Sequence, residues 1–283
     1  MQDKKIPVFY RPEMCADAGS FSKSPTKPVL VVEAWQSVGF QIELKSFDPL
    51  TRSEIAATHD RQMVDDVLDL KIPNGFGNKS AAVAASLPYT SGSMRAAVHA
   101  AMENGIGAVS PTSGFHHAGY DFNGGFCTFN GLMIAAIPLV MDGWKVGILD
   151  LDMHWGNGTD DIIGRGVSNT EQIPHYHQSS TAVFGVDAWL HNLPSIIAAH
   201  FANCDVVLYQ AGADPHVDDP LGGWLTTEQL FERDRIVFNT LRELRIPCAF
   251  NLAGGYQDPL SKVIEIHSNT MRAFSESFFK AVS

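Results

Sequence analysis

The chain has 283 residues, 45% of them hydrophobic and 18% charged, enough apolar material for one large α/β domain or two small ones. A net charge of −11 argues against nucleic acid as a partner, because phosphate binding needs clustered cations, and is compatible with a cationic substrate. Cys15, Cys127, Cys204 and Cys248 form no C-x-x-C pair, which points to reduced thiols and a cytoplasmic setting rather than a disulfide framework. No membrane is expected either: the N-terminus lacks a signal-type apolar stretch, and the longest apolar run, 131–141, is short and contains Pro138.

In chain order, residues 1–28 read as an extended segment punctuated by Pro7, Pro12, Pro25 and Pro28. Residues 29–40 are apolar and predict a helix. Thr51 and Glu54 have the spacing of a capping box, which predicts an amphipathic helix over 55–70. Residues 71–90 contain Gly and Asn and read as loop. The Ala-rich stretch 91–103 predicts a helix stopped by Gly105 and Gly107. Strands and helices then alternate: strand 106–110, helix 129–141, strands 146–151 and 205–209, helix 226–244, strand 248–252 and a closing helix over 261–280. Thr226 and Gln229 form a second capping box, and Leu230, Val237, Leu241 and Leu244 the inner stripe of that helix. Apolar strands alternating with helices imply an α/β fold with a parallel sheet covered on both faces. No linker marks a boundary, so 1–283 is expected to form a single domain.

The chemistry gathers around residues 145–158. This stretch begins as an apolar strand and continues through Asp150, Asp152 and His154 to a Gly-Asn-Gly turn. Side chains two apart on a strand share a face. Two carboxylates and an imidazole on one face are costly to bury unless a cation compensates, which points to a metal; two acids satisfied by backbone amides would be the blander account. A catalytic metal needs about three protein ligands and an open position. Asp152 and His154 supply two, and Asp214, at the end of another strand, is the candidate third, although a turn residue before Pro215 would look the same.

In an open parallel sheet, ligands bind beyond the carboxyl ends of the strands. His116-His117, the 150–157 segment, Asp214 and Gly254-Gly255-Tyr256 all follow predicted strands. Paired imidazoles suit proton removal from water and proton delivery to a leaving group, and each needs an orienting partner. Asp150 is available to one ring and Asn157 to the other; the neutral amide would raise its ring's pKa less than a carboxylate would. Tyr256 can stabilise an oxyanion through its phenolic O–H. Gly124-Gly125-Phe126-Cys127 can line a narrow slot, or Phe126 can sit in the core.

These residues carry a resemblance. Gly114-Phe115-His116-His117-Ala118, Gly125-Phe126-Cys127 followed by Asn130, the whole of 150–158, Gln210 with Gly212-Ala213-Asp214, and Gly254-Gly255-Tyr256 occur in the order found in zinc-dependent histone deacetylases. The wider group includes acetylpolyamine amidohydrolases and acetoin-utilisation proteins. The resemblance runs from about Thr51 through Tyr256 to the terminal helix. It implies the three-layer α/β/α arginase/deacetylase fold, with a central, mostly parallel sheet of about eight strands. It also implies one zinc ion per chain on Asp152, His154 and Asp214, paired histidines at His116 and His117 with His117 as general base, and an oxyanion tyrosine at Tyr256. Asn157, where some members carry Asp, resembles the class II branch. Phe126 matches one wall of the acyl-lysine tunnel, beside Gly125, and Phe184 the other.

The departures are informative. The section between His177 and Asp214 is short for the family, so the tunnel is expected to be shallow and open, or completed by a second subunit in a homo-oligomer. His175 stands where members often place a Ser beside a structural potassium ion, and Ser-Gly-Phe precedes His116 where Pro-Gly is usual. The expected function is hydrolysis of an acylated amine, either acyl-lysine or acylated polyamine. An arginase-type two-metal ureohydrolase is the first alternative, since 214–218 offers extra ligand types. A non-catalytic acyl-amine-binding protein of the same fold is the second.

Overall fold

Seven short strands lie side by side, all parallel: β1 (Ile6–Phe9), β2 (Ile42–Lys45), β3 (Gly107–Val109), β4 (Val146–Asp150), β5 (His175–His177), β6 (Val206–Gln210) and β7 (Cys248–Asn251), in the order β2-β1-β3-β7-β6-β4-β5. The computed structural model describes residues 5–178 and 185–279, and the strand count refers to those residues. Along each inner strand, side chains alternate between faces. Val109, Leu149, Val207, Tyr209 and Phe250 enter one apolar cluster, whereas Ala108, Ile148, Leu208 and Ala249 enter the other. Both faces are therefore covered, as an all-parallel sheet requires.

The first face is covered by α1 (Lys27–Val38), α7 (Val186–Phe201), α8 (Thr227–Leu244) and α9 (Ser261–Phe278), through residues such as Trp35, Ile197, Val237 and Phe274. The second is covered by α4 (Ala81–Asn104), α5 (Gly131–Met141) and α6 (Asn157–Gly164), through Met94, Leu132 and Ile162. A smaller cluster joins α3 (Arg61–Leu68) to Ile55, at the end of the short α2 (Arg52–Ile55), and to Val83 and Leu87 of α4. The result is the expected three-layer α/β/α arrangement, with seven strands among the described residues rather than about eight.

Several local expectations need correction. Both predicted capping boxes form, at Thr51/Glu54 and Thr226/Gln229. The helix expected over 55–70 is broken, however. The chain turns at Ala56–His59, and Asp60 starts α3 afresh by accepting from the Met63 amide at 2.8 Å. The cause is tertiary: the buried His59 ring lies with Nδ1 2.7 Å from the Gly119 carbonyl, while its Nε2 accepts from the Asn130 amide at 2.9 Å. Residues 81–90, read as loop, are the first part of α4, started by Ser80 and running through Pro88. The extended 1–28 segment contains β1, while β2, β5, α6 and α7 occupy stretches with no predicted element.

Candidate active site

The ladder between β4 and β6 ends at the pair Asp150–Gln210. Beyond it both chains leave the sheet, so regular strand alternation stops at Asp150 instead of continuing to His154. Side-chain turns take over. The Asp152 amide donates to Asp150 Oδ1 at 3.1 Å, and the His154 amide to Asp152 Oδ1 at 3.0 Å. Asp side chains that bond an amide two residues on stabilise such turns. The Met153 amide donates to Asp214 Oδ1 at 3.1 Å and the Gly254 amide to Asp152 Oδ2 at 2.9 Å. Three strand ends are thereby stitched together around two buried carboxylates.

Asp152, His154 and Asp214 converge, their ligand atoms all within 4.8 Å of one another. His154 Nδ1 lies 3.0 Å from Asp214 Oδ2 and 3.4 Å from Asp152 Oδ1. Asp152 and Asp214 are buried, while His154 is partly open to solvent. A Cβ at Gly254 would stand 2.3 Å from Asp214 Oδ2 and 2.8 Å from Asp152 Oδ2, so only glycine leaves this cradle clear. Oxygen and imidazole donors of this kind suit zinc, iron or cobalt. Burial and the neighbouring Asp152 push the Asp214 carboxyl up to about 7. Burial also acts to raise Asp152, but His116 and the hydrogen bonds with His154 outweigh it and leave Asp152 below the usual carboxylate range. Hydrogen bonds to Asp152 and Asp214 raise His154 to about 10. Two buried acids and an imidazole thus crowd one small space, and metal binding at such sites is coupled to the release of protons.

The two adjacent histidines face different partners. His116 is buried, with Nδ1 2.7 Å from Asp150 Oδ2 and Nε2 3.5 Å from Asp152 Oδ1. His117 is half-buried and donates from Nδ1 to Asn157 Oδ1 at 2.6 Å. Asn157 opens α6, whose Gly158 and Thr159 amides clamp the His116 carbonyl at 2.8 and 3.0 Å. Burial opposes protonation of His116, yet Asp150 and Asp152 overcome it and raise the ring to about 9. Burial and the neighbouring His116 lower His117 below its ordinary value. Burial, followed by Asp214 and Asp152, holds the Tyr256 hydroxyl well above 10, so it stays a proton donor.

The sequence-derived candidates mostly assemble here. Phe126 stands with its ring centroid 5.4 Å from that of Tyr256, and Gly125 approaches His117 so closely that a Cβ would lie 2.4 Å from its ring. Phe184 lies outside the described residues. His175 places Nδ1 2.7 Å from Asp160 Oδ1 and directs a buried Nε2 toward Asp150, 4.0 Å away. Sequence reasoning missed four contributors. Gln210 donates to both Asp150 oxygens at 3.2 Å. Asp219 accepts from the Tyr256 amide at 2.8 Å. The buried Lys27 donates to the Ala253 carbonyl at 2.6 Å. Phe21 stacks on Tyr256 with centroids 6.2 Å apart. Only Gln210 lay within a recognised motif; the others act from segments that look ordinary in sequence.

The sequence matches the model of the histone deacetylase domain over residues 23–184 and 163–271. An uncharacterized protein of Picosynechococcus sp. is 31% identical over 191 residues, covering 61% of this chain and 63% of that protein. An acetylpolyamine amidohydrolase of Burkholderia pseudomallei is 28% identical over 197 residues, covering 58% of this chain and 52% of that protein. These matches each take in less than two thirds of the relative's length. The solved HD domain of HDA15 superposes with a TM-score of 0.77 at 17% identity, covering 98% of this chain and 90% of that one, which supports the fold.

Proposed function

Because this chain belongs to the histone deacetylase domain family, we propose that it is a metal-dependent amidohydrolase that removes acetyl or another short acyl group from an amine, either acyl-lysine or an acylated polyamine. One observation carries this reading: the Asp152–His154–Asp214 cradle, two histidines of opposite tuning and a protonated phenol share the carboxyl edge of one sheet.

Asp152, His154 and Asp214 would hold one divalent ion, zinc by family resemblance. When bound, such an ion supplies Lewis-acid polarisation of the amide carbonyl and lowers the pKa of water. His117, neutral at pH 7, takes a proton from the attacking water, and Asn157 holds its ring in the tautomer that leaves Nε2 free to do so. His116, cationic beside Asp150, favours the departing amine by keeping a proton in reach. A cation in the cradle offsets Asp152 and Asp214, leaving Asp150 as the main support of that charge. Tyr256 donates its O–H to the oxyanion that develops on the carbonyl. Phe126 and Gly125 form one wall for the acyl-amine chain. Two residues whose surroundings push their pKa values apart divide the acid and base roles.

A two-metal ureohydrolase is less well supported. His216 is turned away, with Nε2 3.0 Å from Thr227 Oγ1 and Nδ1 accepting from the Asp218 amide. Among the described residues, one group alone gathers three ligands. The proposed partner is a small or peptidic acylated amine, not nucleic acid or membrane, in a cytoplasmic setting. A second copy of the chain is proposed to complete the short rim. No helix among the described residues is long and apolar enough to cross a membrane.

The test is turnover of a fluorogenic acetyl-lysine substrate and a panel of acetylated polyamines by protein loaded with zinc, iron or cobalt. Hydrolysis with one metal per chain is the expected result. Full metal loading without turnover of any acylated amine would leave the binding protein as the better reading. Two metals per chain with guanidine hydrolysis would favour the ureohydrolase.

A further inference from the structure

Arg233 is fully buried in α8, on the face of the sheet opposite α4 and α5. Its guanidinium does more than meet its neighbouring acid. Nε donates to Asp234 Oδ1 at 2.8 Å, and Nη2 lies 2.8 Å from the same oxygen. Asp234 is held in turn by the Tyr209 hydroxyl and by Thr270 Oγ1, the latter at 2.6 Å. With Nε held by Asp234, Arg233 turns Nη1 toward the sheet edge. That one nitrogen donates to the Leu151 carbonyl at 3.0 Å and to the Gly212 carbonyl at 2.8 Å.

These two carbonyls have a particular place. Leu151 immediately precedes Asp152, and Gly212 stands two residues before Asp214. Both lie just past the last ladder pair, Asp150–Gln210, where, among the described residues, one backbone–backbone bond, from the Leu151 amide to the Gln210 carbonyl, still joins the two chains and the remaining links run through the Asp214 side chain. Two buried carboxylates approaching one another repel, and the strand ends carrying them would spread if nothing held them. Arg233 holds them from behind and satisfies two carbonyls that the ladder no longer serves.

We propose that Arg233 is a positioning residue for the metal cradle: it fixes the separation of the chain ends bearing Asp152 and Asp214, so that the site is preassembled for a divalent ion. The inference rests on the reading that this cradle holds a metal. Residues that orient ligands without touching the metal commonly contribute ten- to a hundredfold in affinity.

The test compares the zinc Kd of wild type, R233M, R233K and R95M by chelator competition, together with the absorption spectrum of the cobalt-loaded proteins. Arg95 pairs with Glu54 at 2.7 Å, away from the cradle, and its variant reports the effect of losing an ordinary arginine contact. R233M is expected to weaken zinc binding by about ten- to a hundredfold and to alter the cobalt spectrum. R233K should fall between, because an ammonium keeps the charge but not the planar fork. R95M should bind as wild type. A folded R233M with wild-type Kd and spectrum would overturn the inference, as would equal weakening in R95M. If R233M fails to fold, R233K decides: wild-type Kd and spectrum overturn the proposal, and weakened binding supports it. Arg233-dependent zinc binding without hydrolysis of any acylated amine would leave this inference standing and remove the amidohydrolase reading. Absence of divalent binding in wild type would overturn both.

Discussion

His116 and His117 share a peptide bond yet differ in chemistry, because one ring faces the Asp150 carboxylate and the other the Asn157 amide. The contrast can be erased by one substitution. In N157D a carboxylate would face His117 Nδ1, favour the cation, and raise the ring's pKa by about one unit or more. A base works only when deprotonated, so the acidic limb of the kcat/KM profile should move to higher pH and activity at neutral pH should fall. An unshifted limb would mean that His117 is not the base. Tyr256 lends itself to a similar experiment. Its hydroxyl remains protonated, so Y256F deletes a donor while keeping the ring beside Phe126 and Phe21. Loss of about a hundredfold or more in kcat is expected from removing one oxyanion donor; full turnover of acetyl-lysine by Y256F would refute its role.

Among the elements, the break between α2 and α3 carries a measurable pH dependence. His59 is fully buried, faces the Gly119 carbonyl through Nδ1, and accepts from the Asn130 amide through Nε2. Burial lowers its pKa from 6.5 to about 4. The folded state thus holds this ring neutral while the unfolded chain begins to protonate it below 6.5. Stability from this group is complete above pH 6.5 and is lost as pH falls toward 4, by roughly 3 kcal/mol in all. Urea unfolding at pH 7, 5.5 and 4.5 should show this slope in wild type and a flatter one in H59Q. An identical slope in both would assign the acid sensitivity elsewhere.

The same break shows where the sequence stops being readable. Thr51/Glu54 and Thr226/Gln229 are recognisable because each cap is made within four residues. The end of α2 is set by Gly119 and Asn130, far along the chain, and nothing local announces it. The candidate site divides in the same way. Asp152, His154, His116, His117 and Tyr256 stand in motifs whose residue types are already unusual. Arg233 sits between Glu232 and Asp234 in a helix that reads as polar there, and only packing against the sheet shows that it is buried. Lys27 is likewise an ordinary helix-opening lysine until the Ala253 carbonyl is found 2.6 Å away.

At the scale of the molecule, the strand order has a consequence for how the chain is made. β2, β1 and β3 form one contiguous half of the sheet and come from the first part of the sequence; β6, β4 and β5 form the other half and come from the middle. The strand that joins them is β7, the last to appear, which pairs with β3 on one side and β6 on the other. During synthesis from the N-terminus, neither β3 nor β6 can gain its β7 neighbour until residues 248–251 emerge to fill the gap. Tyr256 and the Gly254 amide arrive on the same short stretch. The gap in the sheet and the candidate active-site edge are therefore completed by the same late segment, and a nascent chain stopped short of β7 would lack the strand that pairs both inner edges, which invites association with other chains.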